Sequence, residues 1–267
     1  MNIRKYLTLT RAGIIEQAGY RLSLFIMFIG NLLYLTLIYF VWKAIFASSG
    51  TDVVNGMTFE STMIYLVLAT ALFNFMEMYT VWQIGRDIQN GKIVLDLLKP
   101  MKYKQYLFWS TSGSFVVNFV FTFLPTFVVV FLITKGTIPL GINLLYFAIA
   151  VLLATIIHYN IDFIIGTVCL FTESIWGINI MKQAVVMLLS GATIPLAFFP
   201  ERMRTVIDVL PFRSMYDTPL TLLLNSDSDA RTIFGKLFVA FAWVAGTEII
   251  SALFWKISIR QITVNGG

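Results

Sequence analysis

QYLFWSTSGSFVVNFVFTFLPTFVVVFLIT, Gln105 to Thr134, runs thirty residues without one charged side chain. About 20 apolar residues in an α-helix cross the hydrocarbon core of a bilayer. A chain needs such runs repeatedly only when lipid surrounds it, because backbone polar groups in lipid must be satisfied within each helix. Similar runs recur on both sides of this one, and they predict six spans at roughly 22–46, 60–82, 106–134, 142–170, 174–199 and 233–257. The expected fold is therefore an all-α, polytopic membrane protein.

Composition agrees. Hydrophobic residues make up 58% of the 267 and charged residues 12%, about half the charged share of a soluble domain; the mean hydropathy is +0.82. The 24 Phe and 6 Trp suit lipid-facing and interfacial positions. The net charge of +5 does not point to nucleic acid, because the basic residues cluster at the ends of apolar runs. The single cysteine, Cys169, has no disulfide partner in the chain and reads as a small core residue. The first run, from Leu22 to Trp42, exceeds a signal-peptide core and lacks a small-x-small cleavage site, so a retained span is expected. No internal repeat or linker divides residues 1–267, which read as one domain.

Orientation follows from Lys and Arg in short flanks. Arg4, Lys5, Arg11 and Arg21 precede the first span, and Arg86, Lys92, Lys99, Lys102 and Lys104 lie between the second and third. The loop 47–59 has none, and the loop Gly136–Gly141 has only Lys135 beside it. Both termini are thus expected in the cytoplasm. Residues 200–232 then lie outside, their four arginines offset by Glu201, Asp208, Asp217, Asp227 and Asp229.

Three shorter stretches carry the functional signal. In residues 1–20, Ile3, Leu7, Thr10 and Ile14 share one helical side, with Arg4, Thr8 and Arg11 on another. Such a helix lies along the inner membrane surface, its cations toward anionic headgroups. Within the cytoplasmic segment 83–105, IQNGKIVLDLLKP (Ile88–Pro100) predicts a short helix begun by Asn90-Gly91 and ended by Pro100. Its apolar face is Ile93, Val94, Leu97 and Leu98; its charged face is Lys92, Asp96 and Lys99. So short a helix must dock on something, either the chain's own inner surface or a soluble partner. Finally, Pro195, Pro200, Pro211 and Pro219 break the outer segment Leu189–Pro219 into pieces. Met203, Val206, Ile207 and Leu210 give one piece an amphipathic helix too short to cross, and a broken hairpin at membrane depth is tolerated only beneath protein or around a water-filled cavity.

These segments resemble, in order, the membrane (permease) subunit of type-2 ABC exporters, the multidrug or viologen-type branch in particular. The resemblance is carried by G-x-x-x-x-x-L-L-x-P at Gly91–Pro100, L-S-G…P-L-x-x-F-P at Leu189–Pro200, and Leu210-Pro211-Phe212 followed by Tyr216 and Pro219. The ending Arg260…Val264-Asn265-Gly266-Gly267 is also similar. It implies that Gly91, Lys92, Ile93, Asp96, Leu97, Lys99 and Pro100 belong to a coupling helix seated in a cytoplasmic ATPase. It also implies that Gly191, Pro195, Pro200, Pro211 and Phe212 belong to a re-entrant outer hairpin over 189–219. Two permeases, identical or related, would pair with two ATPases in a bacterial plasma membrane and export amphipathic, drug-like or lipid-like compounds. The chain supports that division of labour. Gly91-Lys92 and Gly235-Lys236 are not followed by Ser or Thr, so no phosphate-binding G-x-x-x-x-G-K-[ST] loop is present, and ATP with Mg²⁺ is expected in the partner rather than here.

Ionisable residues at membrane depth are functional candidates. His158 and Asp162, four apart, share a helix face; Glu248 sits within the last span, and Glu77 near the inner end of the second. His158, Asp162 and Glu248 could pair helices or line a pathway, whereas Glu77, five residues before Trp82, could simply reach the interface. One His and no Cys cluster fall short of a metal site. A competing class, the ion-coupled secondary transporter, predicts repeated halves with interrupted helices. An enzyme would need a nucleophile, base or metal set at one depth.

Overall fold

The computed structural model describes residues 3–77, 79–135, 138–172, 175–225 and 229–262. The ending Val264–Gly267 and loop residue Gly136 lie outside these. An amphipathic helix α1 (Ile3–Gly19) leads into α2 (Arg21–Ser49). A two-residue hairpin, Val53–Val54 against Met57–Thr58, turns on Asn55 and Gly56, both at positive φ as such a turn demands. Then follow α3 (Phe59–Met76), α4 (Thr80–Gln89), the short α5 (Lys92–Leu97) and α6 (Tyr103–Asn118). A π-helical turn, Phe119–Phe123, joins α6 to α7 (Leu124–Ile133). Beyond come α8 (Ile142–Val168), α9 (Ile175–Leu189), α10 (Glu201–Val209), α11 (Asp217–Leu224) and α12 (Ala230–Ser258), with 3-10 turns at Leu196–Phe198, Pro211–Met215 and Ile259–Gln261.

Among the described residues, five helical stretches are long and apolar enough to cross a membrane: Phe28–Ser49, Phe59–Gln89, Tyr103–Ile133, Ile142–Val168 and Ala230–Gln261. They coincide with five of the six expected runs. The sixth, expected over 174–199, is helical only as Ile175–Leu189, 15 residues or about 22 Å against a core of about 30 Å. It stops there because Gly191 turns the chain at φ 83° and Pro195 follows. The π turn has an equally local cause: Pro125, just beyond it, has no N–H to donate back along the helix, and the widened turn absorbs the mismatch.

α8 is the hub, packed by α12, α11 and α4. The main core joins Leu68, Leu72, Phe75 and Met76 of α3 to Ala154 and Ile157 of α8 and to Met215, Tyr216 and Leu220 of the outer segment. By contrast α2 stands almost free: 6% of its span is buried, and among the described residues its polar link to the bundle is Asn74 Nδ2 donating to Asn31 Oδ1 at 3.1 Å. α1 packs on α6 with only part of the side its pattern marks out. Tyr6, Thr10 and Gly13 make the contact, while Ile3 and Leu7 stay exposed. The reason is steric. A Cβ on Gly113 would lie 2.3 Å from the Gly13 backbone, so only glycines allow this crossing, and the Ile3/Leu7 side is left free.

Candidate functional site

Three places gather the candidate residues. The first is the elbow between α4 and α5. Asn90 and Gly91 donate their N–H groups to the carbonyls of Arg86 and Ile88, closing α4, and Gly91 at φ 68° starts α5 in the left-handed geometry glycine adopts freely. Ile93 inserts beside Ile84, Tyr103, Leu107 and Phe163 in a satellite core. Two ion pairs brace the elbow, Lys92–Asp87 at 3.5 Å and Lys99–Asp96 at 2.6 Å, both carboxylates being buried. The Lys99 ammonium also caps the Tyr106 ring at 3.5 Å. Burial pulls its pKa down, but the bonds to Asp96 and Tyr106 prevail and hold it above the usual lysine value.

The sequence pattern had Asp96 on the outward face and Leu98 on the inward one. The structure keeps Ile93 inside and Lys92 exposed but departs at two positions: Asp96 is buried, and Leu98 is 78% exposed, next to Leu95 at 65%. These two departures follow from α5 being only 6 residues and from Asp96 pairing with Lys99, so that at these positions pairing outweighs periodicity. Leu97 and Val94 sit at the core edge, and Pro100 ends the element. The elbow thus leaves Leu95 and Leu98 bare, where the four-residue pattern had placed Leu98 inward.

The second place is the outer segment. α9 ends at Leu189, and the returning chain is tied to it by Asp217 N–H donating to the Ser190 carbonyl at 3.1 Å. Gly191 sits where a Cβ would meet the Tyr65 hydroxyl at 2.6 Å. Pro195 and Pro200 flank the first 3-10 turn, and Pro211 begins the second, which sets Phe212 against the main core. The expected amphipathic helix is α10; Ile207 points in, Met203 and Val206 out. Asp217 holds the arrangement together, accepting from Tyr65 at 3.3 Å and from Arg213 Nε at 3.1 Å, while Arg213 also reaches Asp208 at 2.6 Å. Burial pushes the Asp217 carboxyl above its usual range despite Arg213. A cavity of about 430 Å³ opens beside it, lined by Gly56, Ile64, Tyr65, Pro195 and Leu196.

The third place is a charged cluster inside the bundle. Asp162 accepts from Lys182 of α9 at 2.8 Å, with both side chains essentially buried. His158 Nδ1 lies 3.6 Å from the other Asp162 oxygen, beyond hydrogen-bond reach, and has no hydrogen-bond partner among the described residues. Glu77 lies within electrostatic reach of Asp162 and Lys182. It caps α3 where the helix breaks before Tyr79, which takes the left-handed φ of 53°. Glu248 is not part of this cluster. It pairs instead with Lys104 at 2.7 Å on the flank of α12. The sequence reading passed over Lys182, although a lone lysine in an apolar run is itself a sign of a buried partner.

Among the described residues no group of three His, Cys, Asp or Glu side chains could hold a metal ion. A family model described as ABC-2 family transporter protein matches residues 32–266. No curated protein matches the chain.

Proposed function

The chain belongs to the ABC-2 transporter family, and from that premise we propose that it is the membrane subunit of an ATP-driven exporter, moved by a separate cytoplasmic ATPase. The observation that carries the coupling is the elbow. Leu95 and Leu98 stand bare on a helix braced by Asp87–Lys92 and Asp96–Lys99, a rigid apolar knob suited to a groove in a soluble partner. The chain has no phosphate-binding loop of its own, so ATP and Mg²⁺ belong to that partner, and this subunit does not catalyse hydrolysis.

On this reading α9 and the turn after it make a sixth crossing, residues 189–219 are the re-entrant outer hairpin, and both termini face the cytoplasm of a bacterial cell. A second permease covers the exposed side of α2. Between α2, α3 and α9 lies a cavity of about 190 Å³ lined by Asn31, Tyr34, Phe73, Asn74 and Met187. Its apolar walls with two amides fit an amphipathic, drug-like or lipid-like solute.

The test is co-purification of the ATPase with the intact chain. Leu95→Glu and Leu98→Glu should abolish that association while the chain stays folded, because both side chains already face water. Ile93→Glu would instead disturb the satellite core. Full association and transport by both leucine variants would refute the coupling assignment. Uphill transport by the chain alone in vesicles carrying only an ion gradient would favour an ion-coupled transporter instead.

A further inference from the structure

On the flank of the bundle, α6, α8 and α12 enclose a groove of about 210 Å³ with Lys104, Phe108, Trp109, Tyr159, Asn160 and Glu248 in its walls. It lies beside α1: the Tyr6 ring is tilted against Trp109 with ring centres 5.4 Å apart, and Thr10 donates to the Trp109 carbonyl. The groove therefore sits at the level of the amphipathic helix assigned to the membrane surface, where lipid headgroups lie.

Its charges are unevenly covered. The Lys104 side chain is 16% exposed and already bonded to Glu248 and Ser251, whereas the Glu248 side chain is 55% exposed. A carboxylate left that open on the side of a spanning helix is costly unless something covers it. A buried amide lies behind the same space. Asn160 is fully buried, its Nδ2 donates to Thr247 at 3.1 Å, and its Oδ1 has no partner among the described residues. The open Glu248 carboxylate calls for a cation with N–H groups to give. A primary ammonium supplies three donors; a quaternary ammonium supplies none. Lys104, bonded to Glu248 and Ser251, has a third proton for a phosphate oxygen. Phe108 and Trp109 offer an apolar wall to the glycerol and the first methylenes.

We propose that this groove binds one phospholipid with a phosphate and a primary ammonium in its headgroup, an ethanolamine-type lipid, from the leaflet on the α1 side. The inference rests on α1 marking the membrane surface and not on the coupling role of α5, so either can fail without the other. The lipid holds α6, α8 and α12 together at the level where α1 crosses.

The test uses the full chain in detergent, with native mass spectrometry of lipids matched in acyl chains and bearing ethanolamine, choline or glycerol headgroups. The ethanolamine lipid should be retained about tenfold over the other two, the difference one hydrogen-bonded charge makes. Glu248→Gln should erase that preference while helical content by circular dichroism is unchanged; Trp109→Ala should weaken all three lipids alike. Equal retention of the three by the unaltered chain overturns the proposal, as does an undiminished preference in Glu248→Gln. So does a disulfide-linked pair formed by Ile156→Cys in a Cys169→Ser chain, which would put a second copy of this chain in the groove.

Discussion

Asp162 and Lys182 pin α8 to α9 from inside the bundle, and what each would cost alone shows the role of the pair. A buried pair broken on one side leaves an uncompensated charge, whereas replacement of both partners by apolar groups can be neutral. Lys182→Met should therefore destabilise the protein by about 3–5 kcal/mol, and adding Asp162→Leu should restore most of the loss. Unfolding in mixed micelles with increasing SDS reads both, and a double variant no better than the single would make the pair dispensable to folding. Asp217 carries a different signature. Its carboxyl titrates higher in the fold than in the unfolded chain, so the fold holds its proton over a pH range where the unfolded chain has lost it. Stability from this group is then greatest below the ordinary Asp pKa and falls as pH rises through the folded value. Asp217→Asn should flatten that slope in a pH series of thermal melts. Single letters such as Glu77, His158 and Asp162 were legible as candidates from their place in apolar runs. Which cation answers Asp162 was not, because the partner lies twenty residues away on another helix and no period connects them.

Among the elements, α1 and α6 meet where glycine faces glycine, and the crossing tolerates no side chain. Gly113→Val forces new atoms to within 2.3 Å of the α1 backbone, so α1 should lift from α6 at a cost of about 1–3 kcal/mol, the range for an overpacked contact. Limited proteolysis at Arg4, Lys5 and Arg11 is the check: faster cleavage than in the unaltered chain is expected, and equal rates would mean that α1 is held elsewhere. The long spans were legible because an apolar run of 20 or more residues has one reading in lipid. α5 was legible in place but only partly in facing: its Asn-Gly start, Pro100 end and inward Ile93 follow local signals, while Asp96 turns inward to meet Lys99 beside Tyr106, a contact made by the next helix. The C-terminal end of α9 was equally hidden, since the apolar letters run past Leu189 while Gly191 has already turned the chain.

At the scale of the whole molecule, the bundle is dense around α8 and thin around α2. A span with 6% of its residues buried faces either lipid or another subunit. Leu33 and Leu37 are 64% and 66% exposed on it. If a second permease covers this side, Leu37→Cys in a Cys169→Ser chain should cross-link between subunits in native membranes; only monomer would mean that α2 faces lipid. The family and the all-helical class were open to the sequence, whereas this unevenness was not, because hydropathy scores lipid and protein surroundings alike. The break at Glu77–Tyr79 gives the dense side a direction. Beyond it, α4 carries Ile84 against Gly166 of α8 and Gly85 against Ile175 at the foot of α9, both at distances that leave no room for a methyl group. Any nudge given to the elbow thus bypasses the outer half of its own span and is handed sideways to the base of a neighbouring one, as a key turned in one door would slide the bolt of the next.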